Sequence, residues 1–79
     1  MEREELFAKV KEIIVDQIAC NPDDITESTN LIEDLDADSL DLLQLLTEFE
    51  DQFDISIEDE AFEKVKTIGD ALDQIRSLI

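Results

Sequence analysis

The sequence predicts an all-α fold: a small antiparallel bundle of three main helices plus one short helix, with a long ordered loop between helices one and two. Three observations carry that expectation. Apolar residues recur three and four apart in three separate segments. Gly and Pro occur once each, too few for the many turns of a β-rich chain. Two short motifs have the form of helix-starting capping boxes. A chain of 79 residues has room for one core, so residues 1–79 are read as a single domain.

The first helix is set by Leu6, Phe7, Val10, Ile13, Ile14 and Ile18, the apolar stripe of an amphipathic helix. Glu5 and Lys9 stand four apart and are placed to pair on its outer face. Asn21-Pro22-Asp23-Asp24 ends it, with Asn21 capping a short turn that has Pro22 at its first position. Residues 20–38 then lack a sustained period. A stretch that long in so small a domain is read as an ordered crossover, pinned by Ile25, Leu31, Ile32 and Leu35.

The second helix has the strongest pattern: Leu42, Leu45, Leu46, Phe49 and Phe53 on one side, with Asp41, Gln44, Glu48 and Asp51 on the other. Asp38 is its N-cap, and Asp41, three residues on, is the acid of a capping box. That register places Ser39 in the first turn with its hydroxyl outward. Asp54-Ile55-Ser56-Ile57 breaks the pattern, and a short helix follows from about Asp59 to Val65, with Phe62 and Val65 inward. Thr67 and Asp70 form a second capping pair. They open a last helix with apolar residues at Ile68, Leu72, Ile75 and Ile79.

Composition narrows the function. The chain holds 23 acidic and 6 basic residues, for a net charge of −17. Between Lys11 and Lys64 there is no cation, while eighteen carboxylates fall in that interval. Such a field repels nucleic acid and anionic membranes and attracts proteins with basic patches. Without His there is no imidazole base and no Ser-His-Asp or Cys-His arrangement. The lone Cys20 forms neither an internal disulfide nor a thiolate zinc site, and is read as a small apolar side chain near a helix end. Neither a signal peptide nor a membrane span is visible, and a single cysteine suits a reducing cytoplasm.

Leu35-Asp36-Ala37-Asp38-Ser39-Leu40, at the start of a leucine-rich helix, resembles the attachment site of acyl carrier proteins. The flanks extend the resemblance over nearly the whole chain. Ile25-Thr26 and Leu31-Ile32-Glu33-Asp34-Leu35 resemble the family's crossover. Glu48-Phe49-Glu50-Asp51-Gln52-Phe53-Asp54-Ile55 resembles its acidic helix end. Ile57-Glu58-Asp59-Glu60 and Val65-Lys66-Thr67-Ile68 resemble its third and fourth helices.

The resemblance implies a monomeric carrier with no catalysis of its own. A phosphopantetheinyl transferase (holo-acyl-carrier-protein synthase) moves 4′-phosphopantetheine from coenzyme A to the Ser39 hydroxyl, with Asp38 and Leu40 flanking the site. The arm's thiol then carries acyl groups as thioesters. The resemblance also implies docking of fatty acid synthesis enzymes and acyltransferases, through basic patches, on Asp38, Asp41, Gln44, Glu48, Glu50 and Asp51 of helix two and on Asp59 and Glu60. Acyl chains slip among Leu42, Leu45, Leu46, Ile57, Phe62 and Val65. Glu33, Asp34, Asp36, Asp38 and Asp41 are close enough in sequence to share a divalent cation weakly through oxygen ligands. The acidity of helix two looks more like the fatty-acid type than a carrier for polyketide, peptide or D-alanyl transfer.

Three positions depart from the family pattern: Asp36 where Gly is common, at a site suited to positive φ; Gln44 where Glu is usual; and Phe62 where smaller residues are common. Two rival readings remain distinct. Asp34, Asp36 and Asp38 have the one-three-five spacing of an EF-hand, but Ser39 stands where that loop needs Gly and Leu45 where it needs Glu. An acidic helical adaptor without a prosthetic group would leave Ser39 a plain helix-start serine.

Overall fold

In the computed structural model, which describes residues 2–79, helices fall where capping and apolar spacing direct them. They are α1 (Arg3–Gln17), α2 (Ser39–Phe53), α3 (Asp59–Glu63) and α4 (Ile68–Leu78), with a 3-10 turn at Pro22–Asp24. Both capping boxes close reciprocally. The Asp41 N–H donates to Asp38 Oδ1 at 2.9 Å, and the Asp38 N–H donates to Asp41 Oδ2 at 3.2 Å. Thr67 and Asp70 repeat the arrangement at the head of α4.

The core is one cluster drawn from all four α-helices and the segments between them. Leu6, Val10 and Ile14 of α1, Leu45 and Phe49 of α2, and Ile68, Leu72 and Ile75 of α4 are fully buried. Phe62 of α3 meets Phe49 edge-on, with ring centroids 6.3 Å apart. Such aromatic pairs add about 0.5–1.5 kcal/mol beyond the area they bury.

The crossover is ordered, as its apolar anchors predict, but the backbone contributes as much as they do. The Leu31 N–H donates to the Lys66 carbonyl, the Ile68 N–H to the Thr29 carbonyl and the Gly69 N–H to the Glu27 carbonyl. An isolated antiparallel bridge between Asn30 and Thr67 results. A Cβ at position 69 would lie 3.1 Å from the Glu27 carbonyl oxygen, so the chain's one glycine marks this close approach. Asn30 Oδ1 accepts from the N–H groups of Ile32 and Glu33, and Asp34 Oδ2 accepts from that of Asn30, closing the turn before α2.

Several expectations need correction. The third helix stops at Glu63, because Lys64 caps it; Val65 is buried from the following loop. Ile32 is 51% exposed and Ile79 likewise 51%, so neither anchors the core. Lys9 does not pair with Glu5. Its ammonium lies 5.7 Å from the Phe53 ring centroid, where it covers a half-buried aromatic face. The ion pairs among the described residues join Arg3 to Glu27 and Asp73, tying α1 to the crossover and to α4. Cys20 packs half-buried against the core, and burial, then the charge of Asp24, pushes its thiol pKa up. It stays protonated, as the small apolar role requires.

Asp36 and Asp54 adopt left-handed backbone, φ 55° and 53°. The first precedes the cap of α2 and the second ends that helix. For an L-residue this region costs roughly 1–2 kcal/mol, less for Asp than for most, and Gly removes it at some cost in unfolded-chain entropy. Asp36→Gly is therefore expected to stabilise the fold by about 0.5 kcal/mol, raising the melting midpoint by about 2–4 °C. Asp36→Asn, which keeps the backbone preference and removes the charge, separates strain from repulsion. A midpoint as high in the Asn variant as in the Gly variant would contradict the strain account.

Asp70 carries the clearest pH dependence. Backbone N–H groups of Lys66 and Thr67, both 3.2 Å from its Oδ2, hold its carboxyl below the usual range. A depressed native pKa stabilises the fold above the unfolded value of about 3.9, and that contribution disappears as pH falls through the native value. The stability gap between the parent chain and Asp70→Asn should be full at neutral pH and close below about pH 4. Urea melts at both pH values measure it; a gap that does not change would refute it.

Candidate functional site

Ser39 is the first residue of α2, and its side chain is exposed. The capping box leaves two first-turn donors open. Asp38 spends its carboxylate on the N–H of Asp41, so the N–H groups of Ser39 and Leu40 have no acceptor among the described residues. They stand at the positive end of a helix of 15 residues, a place that suits a phosphate oxygen.

Beside Ser39 opens a groove of about 360 Å³ between α2, α3 and the crossover. Leu42, Leu46, Phe62 and Val65, four of the residues expected around an acyl chain, line it. So do Ile32 and Leu43, which the periodicity did not single out. Leu45 and Ile57 are not in the lining; they point into the core, 0% and 6% exposed. For Leu43 the sequence offered one signal: a Leu on the far side of an amphipathic helix serves no core. Leu43 is 54% exposed; Ile32, 51% exposed in the crossover, carried no such signal. Charged side chains rim the groove, namely Asp59 and Glu63 of α3 and Lys66 from the α3–α4 connection.

The acidic residues of α2 divide by register. Asp41, Gln44, Glu48 and Asp51 recur three, four and three apart and therefore share one stripe. Glu50 lies elsewhere. Its Oε2 accepts the Ile57 N–H at 2.9 Å and pins the α2–α3 connection. Asp41 is half-committed too, because the capping box uses it. Asp59 and Glu60 are exposed at the start of α3. The five acids named for a shared cation do not converge: no three acidic side chains among the described residues form a metal-holding group. Asp34, Asp38 and Asp41 turn their oxygens to backbone N–H groups instead.

A family model described as the phosphopantetheine attachment site matches residues 8–75. The chain is 47% identical over 77 residues to the acyl carrier protein of Lactobacillus acidophilus, covering 98% of this chain and 96% of that one. The chain belongs to the acyl carrier protein family. The family's acyl carrier protein from Petrotoga mobilis is 49% identical over 72 residues, 91% of this chain and 85% of its own. Among solved structures, the acyl carrier protein of Enterococcus faecalis superposes with a TM-score of 0.81 at 40% identity, covering 98% of both chains. That of Thermotoga maritima gives 0.83 at 34% identity, covering 98% of this chain and 89% of the other. The helical fold and the phosphopantetheine attachment domain are therefore those of the acyl carrier family. No helix among the described residues is long and apolar enough to cross a membrane.

Proposed function

We propose that Ser39 bears the phosphopantetheine arm and that the chain carries acyl groups for fatty acid synthesis. One observation supports this above the rest: an exposed serine opens α2 at the mouth of an apolar groove, in a chain that matches the attachment family. The residues suit the group. The Ser39 hydroxyl is reachable, the Ser39 and Leu40 N–H groups are open to a phosphodiester oxygen, and the groove is mostly apolar. When bound, the group supplies a thiol that holds acyl chains as thioesters, a nucleophile this His-free chain with a protonated Cys20 lacks.

Ser39 Oγ displaces the 3′,5′-ADP portion of coenzyme A at phosphorus and gives up its proton to the transferase. Asp38 faces that enzyme, and the stripe of Asp41, Gln44, Glu48 and Asp51, with Asp59 and Glu60, meets basic patches on the transferase and the synthesis enzymes. Ile32, Leu42, Leu43, Leu46, Phe62 and Val65 shelter the cargo. The chain works in the cytoplasm as a substrate and shuttle, not as a catalyst.

The test of pathway is direct. The loaded protein, given malonyl-coenzyme A with a malonyl transacylase, should gain a hydroxylamine-labile malonyl group; acetyl-coenzyme A and a condensing enzyme of fatty acid synthesis should then lengthen it to an acetoacetyl group, with release of carbon dioxide and coenzyme A. Malonylation without lengthening would point instead to a polyketide carrier, and loading without malonylation to peptide or D-alanyl transfer.

Phe62 limits the groove. Phe62→Ala is expected to cost about 3–5 kcal/mol, a large share of a small domain's stability, so Phe62→Leu is the better probe of cargo. Long-chain thioesters should hydrolyse more slowly on Phe62→Leu than on the parent, and short ones equally. Equal rates at every chain length would remove Phe62 from the account.

A further inference from the structure

We infer that Lys66 positions the arm: its ammonium is the counter-ion of the phosphodiester on Ser39 and turns the arm onto the groove, away from the acidic stripe of α2. The inference rests on Ser39 being the attachment residue.

Of the six Lys and Arg side chains, Lys66 is the one that lines the groove with Ser39. The others are elsewhere or engaged. Arg3 is held by Glu27 and Asp73, and Lys9 and Lys11 lie over the rings of Phe53 and Phe7. Lys64 is the exposed cap of α3 and takes no part in the groove, and Arg76 lies on α4 beside Lys9 and Phe53. Lys66 makes no ion pair among the described residues, although Asp59 and Glu63 share its groove and its charge adds to the backbone N–H groups that hold the Asp70 carboxyl below the usual range.

Its backbone, by contrast, is fixed on both sides. The Lys66 carbonyl accepts the Leu31 N–H at 2.9 Å, and the Lys66 N–H donates to Asp70 Oδ2 at 3.2 Å. The chain thus presents an exposed cation at the groove's rim from a backbone that is hydrogen-bonded on both sides. A monoanion added at Ser39 stands near Asp38, Asp41, Asp59 and Glu63, and each of them repels it. Lys66 supplies the attraction that this field otherwise lacks, and the open N–H groups of Ser39 and Leu40 hold the remaining oxygens. The direction of the arm then follows from which side the single cation occupies.

The experiment uses loaded protein, prepared with coenzyme A and a transferase and verified by intact mass, and reads the ³¹P resonance of the phosphodiester. Lys66→Gln should displace that resonance and narrow the signals of the arm. Lys66→Arg, which keeps the charge, should match the parent, and Lys64→Gln should leave both readings unchanged. Added salt should move the parent's resonance toward that of Lys66→Gln, because exposed charges are screened over about 8–10 Å at moderate ionic strength. A Lys66→Gln resonance that superimposes on the parent's, or a displacement reproduced in full by Lys64→Gln, overturns the inference. Failure of the parent chain to load would instead overturn the attachment at Ser39. Lys66 is exposed, and surface substitutions of this kind leave stability nearly unchanged, so these variants are expected to fold.

Discussion

Ser39→Ala is expected to fold as the parent chain does and to accept no phosphopantetheine at all. The hydroxyl is exposed and lies outside both capping boxes, so removing it leaves no buried polar partner unsatisfied. Ala is also the best helix former at an exposed helical position, and surface changes of this kind fall within about 0.5 kcal/mol. Stability and loading should therefore separate completely. Ser28, Ser56 and Ser77 remain in the variant as internal controls, since none opens a capped helix beside an apolar groove. Circular dichroism and intact mass measure the two properties on one sample. Loading of the variant at a residual serine would contradict the assignment, and loss of helicity would mean that Ser39 contributes to the fold.

The second large effect concerns docking. Reversing charge at Asp41 would confuse two roles, because its carboxylate holds the Asp38 N–H in the capping box and a lysine there would disturb α2 itself. Glu48 and Asp51 lie on the same stripe without that duty. Glu48→Lys with Asp51→Lys is expected to slow transfer of the arm by about tenfold or more at low salt, since steering by complementary fields changes association rates by about 10–10³-fold. Helical content should hold. The difference should shrink as salt screens the encounter. Transferase kinetics against ionic strength decide the matter: rates indifferent to both the substitutions and the salt would place docking elsewhere.

The parts of the structure legible in the sequence are those determined by local chemistry. Asp38 and Asp41 announce the start of α2 to the residue, and with it the exposure of Ser39. Thr67 and Asp70 do the same for α4. The left-handed backbone at Asp36 was readable because Gly is common at that position in the family, while Asp54 carried no comparable mark at the end of α2. What stayed hidden depends on contacts distant in sequence. No periodicity reports that Glu50 reaches forward to the Ile57 N–H, or that Leu31 hydrogen-bonds to Lys66 across the molecule. The groove was half legible for the same reason. A helical stripe identifies Leu42, Leu45 and Leu46 as apolar and inward, but whether each meets the core or the groove depends on where α3 settles. The shared cation site does not form among the described residues, where Asp34, Asp38 and Asp41 are already hydrogen-bonded to backbone N–H groups.

The most direct test of the central claim is to locate the arm. Wild-type protein incubated with coenzyme A, magnesium and a broad-specificity transferase should gain the mass of one phosphopantetheine group. Fragmentation of the intact loaded protein should then place that mass on Ser39 and on no other residue. An unchanged mass, a second equivalent, or fragments that carry the group at Ser28, Ser56 or Ser77 would contradict it.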